Sequence, residues 1–115
     1  MEKNNTQPDG GNKELKNDVT AKAQEIYGET FKWLKQRRCD EIVSKERISQ
    51  YAGLVARWQD CEQNISKFGY LAKDPKTGSP ITSPYVEMSL RYMKLANAVW
   101  AEVTQTVYKQ TGICL

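Results

Sequence analysis

Lys32, Lys35, Arg37 and Arg38 place four cations within seven residues, and Lys45 and Arg47 carry the run across a short link. Lysine and arginine neutralise phosphates and release the counterions condensed on a nucleic acid, a binding mode that is salt-sensitive and largely independent of sequence. These six residues form the candidate DNA-binding surface. A plainer role competes for them. Lys35, Arg37 and Arg38 fall in the last turns of a helix, where positive charge complements the C-terminal dipole. Glu25, Glu29, Asp40, Glu41 and Glu46 offset the charge, so that seven basic residues face five acidic ones between positions 19 and 48.

Other chemistries are short of parts. The chain has no histidine, which removes Ser-His-Asp and Cys-His catalysis and the histidine-ligated metal sites together. Cys39, Cys61 and Cys114 have no C-x-x-C spacing and read as reduced thiols, with Cys61 a small core residue. Asp60 and Glu62 project to different helix faces and make no acid/base dyad. The run Asp74 to Gly78 is a turn without the Gly-Lys-Ser/Thr end of a phosphate-binding loop. The expectation is a non-enzymatic chain with no metal and no cofactor. Trp33, Trp58 and Trp100 could serve as base-stacking platforms, but their helical spacing favours packing within or between subunits.

The elements that must position the basic run follow from periodicity and caps. Residues 1–18 hold one sizeable apolar side chain, Leu15, too little to offset ordering entropy, and are expected to be a disordered arm. Residues 19–115 form one helical domain. Its first helix starts near Thr20, with Ala23, Ile26, Tyr27, Phe31, Trp33 and Leu34 at three- and four-residue spacing and Gly28 marking a bend. The second runs from the Ser44 cap to Phe68, stopped by Gly69, with apolar rows Ile48, Tyr51, Val55, Trp58, Ile65 and Leu54, Cys61, Phe68. The third opens on Ser83-Pro84 and ends at Gly112. It carries Val86, Met93, Ala96, Trp100, Val103, Val107 on one row and Tyr85, Met88, Tyr92, Leu95, Val99 on the next. Asp74-Pro75-Lys76-Thr77-Gly78 centres the connector, which closes as a short β-hairpin or a plain loop. The predicted fold is all-α: three helices, the second and third forming a long antiparallel helical hairpin. The apolar faces are wider than one chain needs, so self-association is the natural outlet. Tyr51, Trp58, Tyr85, Tyr92 and Trp100 are the candidate interface residues.

The order of these signals resembles the phage terminase small subunit family of tailed phages and prophages. A tryptophan ends the first helix. The next carries Ile48, Tyr51, Ala52, Arg57-Trp58, Cys61, Ile65 and Gly69. A connector with Gly78 leads to Pro84, Tyr85, Tyr92, Ala96 and Trp100. The likeness spans about residues 20–108 and rests on order and spacing, because each motif is a helical-core pattern. It implies a homo-oligomeric ring that binds double-stranded viral DNA for packaging and modulates the large terminase subunit. The family's Leu-Gly-Leu-Ser/Thr-Pro-x-x-Arg ending is absent, replaced by Thr111-Gly112-Ile113-Cys114-Leu115, which puts a shared mode of large-subunit docking in doubt. No helix-turn-helix signature accompanies it.

Composition is compatible with that setting. Net charge is +3 and charged residues make up 27%, with a mean hydropathy of −0.71. No apolar run is long enough for a membrane span, and the first residues lack the apolar core of a secretory signal, so the expected location is the bacterial host cytoplasm. The alternative function is a phage or prophage helical adaptor that binds proteins and not nucleic acid.

Overall fold

A computed structural model describes the backbone of residues 10–112 and the side chains of residues 19–112. In chain order it contains α1 (Gly10–Gln36), α2 (Lys45–Phe68), β1 (Leu71–Lys73), β2 (Pro80–Thr82) and α3 (Pro84–Thr111). The all-α reading holds, and the connector closes as a ribbon. β1 and β2 pair antiparallel, with Leu71 opposite Thr82 and Lys73 opposite Pro80.

The caps explain where α2 and α3 begin and end. Ser44 accepts from the amide of Arg47 at 3.0 Å, and Ser83 accepts from that of Tyr85 at 3.3 Å, with Pro84 supplying no amide at the first helical position. Gly69 (φ 87°) and Gly112 (φ 74°) end these helices in a backbone region that other residues enter only with strain.

α1 differs from expectation at its start, reaching back to Gly10 and not beginning near Thr20. Asn12 to Asp18 contain neither proline nor glycine. A helix already nucleated over its packed part extends by one hydrogen bond per residue without needing burial. The remainder of the expected arm, residues 1–9, lies outside the described residues.

α2 lies between the other two helices and packs against both. Arg47 at its start pairs with Glu102 late in α3, at 3.0 Å. Glu62 near its end accepts a hydrogen bond from Ser89 early in α3. Both pairs form because the two helices run antiparallel. The body measures 56 × 43 × 17 Å, thin enough in one direction that few positions are covered all round. Its main core gathers Leu34, Cys39, Val43 and Ile48 against Val99, Val103 and Val107. This core sits at the end where α1 turns into α2 and α3 finishes. A second cluster seats Ile26 over Ala52 and Ala56, whose small side chains let α1 and α2 approach closely.

Gly28 is exposed within α1, and a Cβ added there meets nothing within 4 Å. Its backbone is ordinary helix, without the positive φ that a glycine alone tolerates. Gly28→Ala is therefore expected to raise stability by about 1 kcal/mol, through helix propensity and a less free unfolded chain. Urea denaturation of the two proteins side by side measures it.

Candidate nucleic-acid interface

The basic run is divided by its surroundings. Arg37 lies over the ring of Trp33, 4.0 Å from its centroid, and donates to the Trp33 carbonyl at 3.0 Å. Arg47 spans from α2 to Glu102 of α3 and also reaches Gln50 at 3.2 Å. These two cations are engaged within the chain. Lys32, Lys35, Arg38 and Lys45 are exposed, and none is ion-paired among the described residues. α1 delivers the first two in its last turns, the link delivers Arg38, and Lys45 opens α2. All four collect at the end of the molecule that holds the main core.

The backbone that presents Arg38 is specific. The Cys39 amide donates to the Leu34 carbonyl at 2.9 Å and the Arg38 amide to that of Lys35 at 3.0 Å. This pair of bonds is the Schellman ending of a helix, and it demands a left-handed residue at Arg38, whose φ is 58°. Cys39 and Leu34, both fully buried, supply the apolar contact that accompanies the motif. Glycine usually fills such a site, because a Cβ there costs roughly 1–2 kcal/mol. Arg38→Gly is accordingly expected to stabilise the fold by about 1 kcal/mol while deleting one exposed cation, read as a higher urea midpoint.

The aromatic candidates divide in the same way. Trp100 of α3 meets Trp33 of α1 with ring centroids 5.0 Å apart and Tyr51 of α2 at 5.1 Å. Tyr51 and Trp100 thus join all three helices from within, leaving only part of each ring at the surface. Trp58, Tyr85 and Tyr92 are half-buried along α2 and α3. Apolar residues that the periodicity assigned to packing are instead exposed: Phe68, Met88 and Leu95. Tyr70, Leu71 and Ile81 join them around the ribbon, at the end remote from the basic run. Alternation of apolar and polar residues could not flag these, since it reports which face a helix has and not how far a neighbour extends along it.

An open cleft of about 820 Å³ runs between α1 and α2, lined by Ala23, Tyr27, Lys45, Ser49, Gly53 and Arg57 among others. A Cβ built on Gly53 would stand 3.1 Å from the Arg57 guanidinium, so the missing side chain gives that arginine room to lie against the helix. Among the described residues no cluster of cysteine and carboxylate side chains is arranged to hold a metal ion, and no helix is long and apolar enough to cross a membrane.

Among the described residues, two groups have displaced proton affinities. Burial pushes the Cys61 thiol up, and the neighbouring Asp60 and Glu62 carboxylates push it further. Burial alone raises the Tyr51 phenol. In each case the neutral form is favoured by folding, so the folded value lies above the unfolded one. The associated stability is complete below the ordinary values, 9.0 for Cys61 and 10.0 for Tyr51, and each part is lost as pH climbs from that value through the group's raised folded one. The urea midpoint is expected to fall on this alkaline side, and Cys61→Ala should flatten the first part of the decline. An equal slope in both proteins would show that Cys61 does not contribute.

The fold and its surface define a small helical protein with a basic turn end and, opposite it, a ribbon-bearing end that exposes both apolar side chains and lysines. No family model, no curated protein and no solved structure matches the chain.

Proposed function

We propose that this chain is a non-enzymatic DNA-packaging subunit of the small terminase kind, which assembles with copies of itself and holds double-stranded viral DNA for a large terminase subunit. The observation that carries the reading is the convergence of Lys32, Lys35, Arg38 and Lys45, all exposed, at one end of an antiparallel helical hairpin. Four cations with Asp40, Glu41 and Glu46 close by in sequence bind one duplex weakly. A closed assembly repeats the patch, and linked sites multiply affinity without any new chemistry.

Self-association has its own support in exposed apolar side chains along α3. Met88 and Leu95, seven residues apart, share one flank, and Leu90 and Tyr108 lie on the other. A protein-binding adaptor without nucleic-acid contact is the second reading. It is favoured by the same exposed apolar side chains and by the internal engagement of Arg37 and Arg47.

Native mass by light scattering and gel retention of cognate phage duplex at rising salt test the two together. The packaging reading expects a multimer whose retention weakens steeply with salt. Deleting one phosphate-neutralising cation should make the slope of log affinity against log salt shallower by about 0.9. Lys32→Glu with Lys35→Glu should abolish retention and leave the mass unchanged. A monomer that fails to retain duplex at low salt would falsify the packaging reading. A multimer indifferent to those two charge reversals favours the adaptor.

A further inference from the structure

At the opposite end of the molecule, Lys67, Phe68, Tyr70, Lys73 and Lys76 stand within ten residues of chain. Phe68 is 67% exposed and Tyr70 is 70% exposed, with Leu71 beside them at 66%, the most exposed large apolar side chains among the described residues. By contrast, Tyr27, Trp33, Tyr51 and Trp100 are drawn into internal packing. The three lysines are exposed and none is ion-paired among the described residues.

The acids nearby make internal contacts and keep their charge, so the three lysines outnumber Asp74 on this stretch of chain. Asp74 accepts from the Lys76 amide at 2.8 Å within the turn. Glu62 accepts from Ser89. Glu87 pairs with Arg91 at 3.4 Å. Lys67 already sits 5.9 Å from the centre of the Phe68 ring. Cations thus flank a pair of exposed rings along the chain at this end, beside the exposed Leu71 and Ile81.

A phosphodiester strand with accessible bases complements such a surface, because lysines neutralise its phosphates while flat rings accept its bases. An acidic protein partner would answer the lysines, while the exposed Phe68 and Tyr70 rings beside them add the stacking surface that bases use. The ribbon and its turn carry Lys73 and Lys76. The pairing of Lys73 with Pro80 and the Asp74–Ser79 bond at 2.9 Å fix the turn that carries Lys76.

We propose that this ribbon end is a second nucleic-acid contact, taking single-stranded or locally unpaired DNA by stacking on Phe68 and Tyr70 with Lys67, Lys73 and Lys76 on the backbone. It deepens the packaging reading, on which its biological setting rests, and it is chemically distinct from the duplex-facing basic end.

The test is binding of fluorescein-labelled oligo(dT), and of a duplex of equal length, to the full chain. Phe68→Ala with Tyr70→Ala should weaken oligo(dT) binding roughly ten-fold or more and leave its salt dependence unchanged. Lys73→Gln with Lys76→Gln should reduce the salt slope by roughly 1.4, as expected when two cations leave a single strand's backbone. All four side chains are exposed, and far-ultraviolet circular dichroism verifies that the variants keep their helices. Unchanged oligo(dT) affinity in the ring-deletion variant overturns the proposal, as does a changed native mass with oligo(dT) binding intact, which assigns the surface to a protein contact. Wild-type protein that retains duplex but ignores oligo(dT) overturns this inference and leaves the packaging reading standing.

Discussion

The contact of Trp33, Trp100 and Tyr51 is the one on which the arrangement of the helices turns. α2 packs against α1 on one side and against α3 on the other, while the backbones of α1 and α3 share little close approach. Two helices in that relation need large side chains to meet. Trp33 and Trp100 close the gap with centroids 5.0 Å apart, and Tyr51 slots beside Trp100 from the helix between them. Ring pairs of this geometry are worth about 0.5–1.5 kcal/mol beyond the area they bury. Arg37 covers the outer face of Trp33 and ties itself to the same residue's carbonyl, so a cation that sequence would assign to a ligand instead helps to fix the ring.

The molecule is uneven along its length because of this. Leu34, Cys39, Val43 and Ile48 meet Val99, Val103 and Val107 at the turn end, beneath the aromatic contact. Toward the ribbon the buried side chains are small or sparse, namely Cys61, Ile65, Ala96, Ser83 and Ser89. The ribbon itself is largely exposed, and a two-stranded hairpin has little stability of its own. Local opening therefore costs least at the ribbon end, where apolar burial is thinnest. The exposed cations of the turn end stand on the rigid part, whereas Phe68, Tyr70 and the ribbon lysines stand on the part best able to adjust to a partner.

Element ends were legible wherever one residue's chemistry determines them. Ser44 and Ser83 cap, Pro84 needs no amide partner, and Gly69 and Gly112 take positive φ, all from local physics. The end of α1 was not legible, since its left-handed position is occupied by Arg38 and no glycine announces it. Its start was missed because residues 10–18 lack an apolar face, and periodicity detects burial and not helicity. Phe68, Met88 and Leu95 fit their apolar rows well and are exposed all the same. A row states which residues share a face, and coverage depends on how far the neighbouring helix reaches. In the candidate site the charges were plain from the sequence, whereas their partners were not. Arg47 and Glu102 are 55 positions apart, and only the antiparallel crossing of α2 and α3 brings them to 3.0 Å.

That pairing sets what the remaining charges can do. An exposed ion pair contributes little to stability by itself, but it offsets the charges of Arg47 and Glu102 against each other. Arg37 keeps its charge beside the neutral ring and carbonyl of Trp33, so the turn end sets it with Lys32, Lys35, Arg38 and Lys45 against Asp40, Glu41 and Glu46, a modest positive field. At the ribbon end Asp74 and Glu62 accept hydrogen bonds from neutral donors and keep their charge, Glu87 pairs with Arg91, and the three lysines have no ion partner among the described residues. Two regions of similar formal charge thus differ in how their charged groups are held. The difference arises from the internal contacts of the fold, which net charge and local composition do not contain.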